Sequence, residues 1–171
     1  MAADFDTGDL TWDDITEQTD RIARVLQPDP VPQIVVGVVR GGLIPAVILA
    51  HRLGVRDVRV LEITHTVDDS TNAAKTDRPV TRNSASLGDV AGRDVLVVDD
   101  VAGTGETLAA VVRLVEQAGA ARVRSAVLVV NAANWGGDRP PAQAVTVIGE
   151  TVGCWVVFPW ESAAVRAGEG A

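Results

Sequence analysis

The sequence predicts an α/β fold, a mostly parallel twisted sheet flanked by helices with a small C-terminal hood, and three observations carry that expectation. Apolar runs of strand length recur along the chain, a glycine turn and a helical stretch follow several of them, and the alternation stops after Asn131, where turns and short aromatic pieces take over. At 171 residues the chain fits a single domain able to bury most of one sheet.

The elements follow in order. Leu10, Ile15, Ile22, Val25 and Leu26 recur at helical spacing, and Thr11 before Trp12-Asp13-Asp14 supplies an N-cap, so a helix is expected over residues 10–26. The proline-rich stretch 27–32 ends it. Gln33 to Val39 is a continuous apolar run, as a parallel strand covered on both faces requires. Gly41-Gly42 follows, and Leu43 to Leu53 forms an apolar helix closed by Gly54. Val58 to Thr64 reads as a second strand. His65 to Ala91 is polar, charged and free of either periodicity; structureless stretches above roughly 12–15 residues in a compact domain are commonly lids or inserts, so this one is a candidate active-site cover. Asp94 to Asp99 is the third strand, Gly105 to Ala118 the next helix and Val123 to Val130 the fourth strand. Beyond Asn131, turns at Gly136-Gly137-Asp138 and Pro140-Pro141 separate strand-like pieces at Ala144 to Ile148 and Cys154 to Phe158, read together as the hood. Sheets of this class bind ligands at the carboxyl ends of their strands.

Composition narrows the function. Hydrophobic residues at 47 % and charged residues at 22 % are ordinary for a globular protein, and no apolar run approaches the roughly 18 residues of a membrane span. The acidic start MAADFDTGDL lacks the basic and apolar regions of a secretory signal, so the expected location is cytoplasmic. A net charge of −8 argues against broad nucleic-acid binding, which needs a basic face to displace counterions. Cys154 is the only cysteine and His51 and His65 the only histidines, which excludes an internal disulfide and a cysteine- or histidine-built metal site. Any metal is expected to arrive with substrate.

The most informative stretch is Val95 to Leu108, VLVVDDVAGTGETL. Apolar residues lead into paired carboxylates, Asp99 and Asp100, and a loop of small residues then enters a helix. The backbone N–H groups of Ala102, Gly103, Thr104, Gly105, Glu106 and Thr107 can wrap a phosphate at the positive end of that helix, with Thr104 and Thr107 donating hydroxyl bonds. The carboxylates can accept bonds from sugar hydroxyls or hold a substrate-bound magnesium. On glycine spacing alone, a tight turn with acidic capping explains the stretch equally well. A Walker loop would need lysine where Glu106 stands, and a dinucleotide fingerprint would need glycine where Leu108 stands. Glu106, in the first turn beside a presumed phosphate, is expected to point to solvent.

This stretch resembles the phosphoribosyl pyrophosphate (PRPP) signature of type I phosphoribosyltransferases. Val39-Arg40-Gly41-Gly42-Leu43 resembles the pyrophosphate-binding loop of the bacterial and archaeal 6-oxopurine enzymes of that family, and Trp155-Val156-Val157-Phe158-Pro159-Trp160-Glu161 resembles their hood. The resemblance covers residues 12–161 and implies a type I phosphoribosyltransferase fold in one domain: a core over about 10–131, a mobile loop over about 65–91 and a hood over about 132–165. It implies Mg2+-dependent displacement of pyrophosphate from C1 of ribose by a ring nitrogen of a purine-like base, giving a nucleoside 5′-monophosphate. By the same resemblance Asp99, Asp100 and Arg40 are catalytic; Arg40, Gly41, Gly42 and residues 102–107 bind PRPP together with the two aspartates. Asp99 and Asp100 also serve the metal, and Trp155 stacks on the base while Val156 reads its edge. Lys75, Arg78 and Arg82 of the loop are candidates to close over the pyrophosphate, with a solvated loop as the equal alternative. Partners are PRPP and a purine-like base, without nucleic acid or membrane, and a homo-oligomer, dimer or tetramer, is expected by analogy.

Two departures concern the acceptor. The 6-oxopurine enzymes usually carry aspartate where Gly103 stands, facing N7 of the base, and lysine near Asn131-Ala132, on the 6-oxo group; here the last lysine is Lys75. Both losses fall on base recognition, which points to a modified, deaza or 6-amino purine. Asn131, Asn134 and Trp135 stand where the lysine would be and are candidates to read the base, with a plain turn at least as good an explanation. The remaining alternatives are an ordinary 6-oxopurine salvage enzyme and a regulator of the same fold that senses PRPP or a nucleotide. The regulator ranks lower, since neither a DNA-binding extension nor a basic face is visible.

Overall fold

A computed structural model describes residues 7–66 and 75–161. The first strand, β1 (Thr7–Asp9), leads into α1 (Trp12–Leu26). That helix starts at Thr11 because a capping box closes there: the Thr11 hydroxyl accepts from the Asp14 N–H at 3.2 Å and the Asp14 carboxylate accepts from the Thr11 N–H at 2.7 Å. Its buried side chains, among them Ile15, Ile22 and Leu26, face the sheet.

The rest of the chain runs β2 (Ile34–Val39), α2 (Leu43–Leu53), β3 (Asp57–Thr66), β4 (Lys75–Thr81), β5 (Asp94–Ala102), α3 (Glu106–Gln117), β6 (Arg122–Asn131), α4 (Pro141–Ala144), β7 (Val147–Val152) and β8 (Trp155–Val157). Six strands form the main sheet in the order β4-β3-β2-β5-β6-β7, all parallel except β4. Alternate residues of β5 feed two cores: Leu96 and Val98 pack toward α1 and α2, Val95 and Val97 toward α3. This is the expected mostly parallel, helix-flanked sheet. The chain leaves β2 for β3 on one side and returns to β5 on the other, so a crevice opens where the carboxyl ends of β2 and β5 lie side by side.

Two local expectations are corrected, and one strand pairing goes beyond the sequence reading. Within 65–91, read as loop, β3 continues to Thr66, β4 pairs antiparallel with it, and a short 3-10 turn spans Ser84–Leu87. The strand KTDRPVT has no apolar alternation to announce it, and Pro79 sits where a sheet edge tolerates a missing donor. The piece expected at Ala144 to Ile148 is displaced: α4 ends at Ala144, and β7 belongs to the main sheet as a parallel neighbour of β6. Finally, the hood strand β8 pairs in parallel with β1, so the chain's beginning helps to build the hood.

Opposite the crevice, at the amino ends of β5 and β6, the buried Arg124 side chain donates to both Asp94 oxygens at 2.9 and 3.0 Å and to the Pro30 carbonyl at 2.9 Å. Arg122 binds Asp29 at 2.6 Å beside it. These ions stitch the 27–32 turn to the sheet. Among the described residues no helix is long and apolar enough to cross a membrane.

Candidate active site

β5 carries its chain through five buried residues, Val95 to Asp99, and delivers Asp99 and Asp100 to the crevice. Asp99 is buried, at 8 % exposure, and its Oδ1 accepts from the Asp100 N–H at 3.0 Å. Burial drives the Asp99 carboxyl well above the usual carboxylate range, and the neighbouring Asp100 carboxylate raises it further. Asp100 is pushed up to about 6, chiefly by burial, with repulsion from the Glu161 carboxylate adding to it and the Val101 N–H, which donates to its Oδ1 at 2.9 Å, opposing.

The turn after β2 packs directly against this pair. The Val39-Arg40 peptide is cis, and Gly41 and Gly42 follow it into α2. A Cβ on Gly41 would overlap the Asp100 carboxylate. One on Gly42 would lie 2.6 Å from the Val38 carbonyl oxygen and 2.8 Å from both the Asp99 Cα and the Val98 carbonyl oxygen. Only bare backbone lets the two strand ends approach this closely. Arg40, exposed, stands at the same turn.

The loop from Ala102 to Thr107 enters α3 through Gly105, which adopts the left-handed conformation at φ 81°. Among the described residues no side-chain cap closes the α3 N-terminus at Gly105, and a helix start of this kind suits an anion. The Thr104 hydroxyl donates to the Glu106 carboxylate at 3.0 Å, and Glu106 is exposed, as expected. That bond commits the Thr104 hydroxyl's proton to Glu106. At Gly103 a Cβ would meet nothing within 4 Å.

Trp155 opens β8, half-buried, with its indole N–H buried and lacking an acceptor among the described residues. The Val156 side chain packs in the core beneath the hood. Among the described residues β8 has a strand neighbour, β1, on one edge only. Asn131 is already committed: its amide donates to the Cys154 carbonyl at 2.9 Å and its Oδ1 accepts from the Ala133 N–H at 3.1 Å, tying the hood to β6. It holds Trp155's neighbour in place and is a poor reader of a base. Trp135 lies against Gly105, and Asn134 is exposed. Arg82 faces Glu62 at 3.9 Å, and Glu62 is the register partner of Val39, so Arg82 stands near the glycine turn. The side chains of Lys75 and Arg78 lie outside the described residues.

Glu161 is the residue whose part the sequence did not disclose. It closes the turn after β8, accepting from the Phe158 N–H at 2.7 Å, and its charge reaches Asp100. Its position at the end of the aromatic hood stretch was the only local signal.

Paired carboxylates, a bare glycine turn and a helix start gather at the switch point of a parallel sheet, where folds of this class bind their ligands. The comparison with known proteins gives the family: residues 12–163 match the phosphoribosyl transferase domain, and the chain belongs to the phosphoribosyltransferases. It is similar to a purine phosphoribosyltransferase from Pyrococcus horikoshii Ot3, with 31 % identity over 92 % of this chain and 95 % of that one and a TM-score of 0.72. Two further structures share the fold. A hypothetical protein from Neisseria gonorrhoeae with bound ppGpp is 21 % identical over 96 % and 94 % of the two chains, with a TM-score of 0.75. The Helicobacter pylori xanthine-guanine-hypoxanthine phosphoribosyltransferase is 17 % identical over 97 % and 99 %, with a TM-score of 0.72.

Proposed function

We propose that this enzyme transfers phosphoribose from PRPP to a ring nitrogen of a purine-like base. The nitrogen lone pair forms the new bond to C1 of ribose, the C1–oxygen bond breaks with its electrons leaving on pyrophosphate, and the nitrogen's proton passes to solvent. The observation that carries this reading is the contact of the Gly41-Gly42 turn with Asp99 and Asp100, one loop away from the α3 start. In it, residues 102–107 hold the 5′-phosphate through backbone N–H groups, and Arg40, Gly41 and Gly42 receive the pyrophosphate. Asp99 and Asp100 accept the ribose hydroxyls and stabilise positive charge that develops on the ring.

The residues present fit Mg2+. Two hard carboxylates raised chiefly by burial would gain from a cation, and among the described residues no cluster of three or more ligating side chains forms a cage of its own. Asp99 and Asp100 would hold such a cation, which would arrive with substrate. When bound, it neutralises charge on the departing pyrophosphate.

For the acceptor, Trp155 offers a stacking face and β8 offers backbone groups. The purine class rests on the similarity to the Pyrococcus enzyme. The bare, open position at Gly103 and the absence of lysine beyond Lys75 favour a modified, deaza or 6-amino purine over hypoxanthine, guanine or xanthine. A panel of bases offered with Mg2+ and PRPP, with nucleotide product read by mass, tests this; fastest turnover with hypoxanthine or guanine would return the chain to ordinary 6-oxopurine salvage. The ppGpp-bound neighbour favours one further reading, a nucleotide-sensing regulator. Base-dependent pyrophosphate release separates enzyme from sensor. A dimer or tetramer, expected by family analogy, is measured by light scattering on the intact protein.

A further inference from the structure

The turn after β6 is wedged against the phosphate loop. The Trp135 ring lies where a Gly105 side chain would be: a Cβ on Gly105 would come within 2.6, 2.8 and 3.2 Å of three ring carbons. Gly136 follows, its N–H donating to the Thr104 carbonyl at 3.4 Å and its α-carbon facing the Thr104 side chain, with a built Cβ 3.8 Å from it. The ring is itself fixed. Its indole N–H donates to the Arg139 carbonyl at 2.8 Å, Gly137 lies close beneath it, and its apolar face joins the core that holds Leu108 and Val111 of α3. One side chain thus touches the left-handed glycine of the cradle and the core beneath the same helix.

We infer that Trp135 is a positioning residue for the donor's phosphate, acting through Gly105 and Thr104. A glycine in the left-handed region gains its shape at the expense of stiffness. Backbone N–H groups bind an anion well only if they already point at it, since any ordering on binding is subtracted from affinity. Trp135 supplies the missing stiffness from outside the loop. Because Gly105 and Trp135 share one space, no side chain at position 105 could serve in its stead without displacing the ring. This inference rests on the reading of residues 102–107 as the PRPP phosphate site.

The test compares wild type with Trp135→Phe and Trp135→Ala by calorimetric titration with ribose 5-phosphate and by steady-state kinetics in PRPP and in base, with melting curves for each protein. Trp135→Ala is expected to weaken ribose 5-phosphate binding and raise the KM for PRPP by about tenfold, the equivalent of one lost ring contact. The KM for the base and kcat should change by less than about twofold, because the ring packs on Gly105 and on the core beneath α3. Trp135→Phe keeps a ring face over Gly105 and should recover most of the PRPP affinity. A general loss of packing would instead lower all parameters together. Unchanged ribose 5-phosphate binding in Trp135→Ala, or a change in base KM alone, overturns the inference while leaving the proposed function intact. If wild type binds neither ribose 5-phosphate nor PRPP, the functional reading fails and this inference with it. Should Trp135→Ala melt below the assay temperature, Trp135→Phe and Trp135→Leu decide, since the expected order of PRPP affinity is wild type, Phe, Leu.

Discussion

Adjacent glycines at the turn after β2 should respond to the same substitution in opposite ways. In Gly41→Ala the new methyl overlaps only the Asp100 carboxylate, the end of a side chain that can rotate away. The rotation would cost the bond from the Val101 N–H to Asp100 Oδ1, now 2.9 Å, and a hydrogen bond to a charged group is worth about 1.5–3 kcal/mol. If Asp100 must be in place for reaction, kcat/KM falls by about 10- to 100-fold, at 1.4 kcal/mol per decade. Stability should hold or rise slightly, because the move relieves a buried carboxylate. In Gly42→Ala the methyl meets the Val38 and Val98 carbonyls and the Asp99 Cα, all backbone, and the strands must part. Overpacking of this kind costs about 1–3 kcal/mol of stability. Urea midpoints and pyrophosphate-release rates on both variants measure the two effects. A Gly41→Ala enzyme with full kcat/KM, or one that unfolds while Gly42→Ala does not, would refute the placement of Asp100 against the turn.

Four further outcomes are expected. Both carboxyls bind protons more tightly folded than unfolded, so stability is highest below the ordinary carboxylate range and declines as pH rises through about 6; Asp100→Asn should flatten that decline and raise the melting temperature at neutral pH while abolishing turnover. In the same window kcat/KM of the wild type should fall on acidification below about 6, as the ionised Asp100 is lost, which a pH–rate profile reads. Gly103→Asp has open space for its side chain, so it should leave the melting temperature nearly unchanged and shift acceptor preference toward hypoxanthine or guanine in competition assays. Arg124→Met removes the buried partner of Asp94 at the far end of the strands and should cost about 3 kcal/mol in chemical denaturation without altering KM for either substrate.

How much the sequence disclosed depended on whether the signal was local. The α1 start at Thr11 and the α2 end at Gly54 were legible because capping chemistry is confined to neighbours in the chain. Asp99, Asp100 and the 102–107 loop were legible for the same reason. β5, in contrast, runs on to Ala102, since Val101 and Ala102 still pair with Val129 and Val130 although a polar pair interrupts the apolar run. β4 and the β1–β8 pairing are held by backbone bonds between segments without hydrophobic periodicity, and β7 contains Gly149, which read as a strand end. There the missing side chain serves contact instead, as a Cβ would lie 2.6 Å from the Leu128 carbonyl oxygen. The Trp135 contact with Gly105 and the charge of Glu161 at Asp100 join distant segments, and only the folded chain reveals them.

The central claim is that Asp99 and Asp100, with the two loops beside them, make one PRPP-dependent transfer site. The most direct measurement follows pyrophosphate and nucleoside 5′-monophosphate together, by mass, in wild type and in the Asp99→Asn, Asp100→Asn double variant with PRPP, Mg2+ and the best base of the panel. Equimolar products that appear only when base is present, and vanish in a double variant that still folds, are the predicted result. Pyrophosphate release that ignores the base, or undiminished transfer by the double variant, would contradict it.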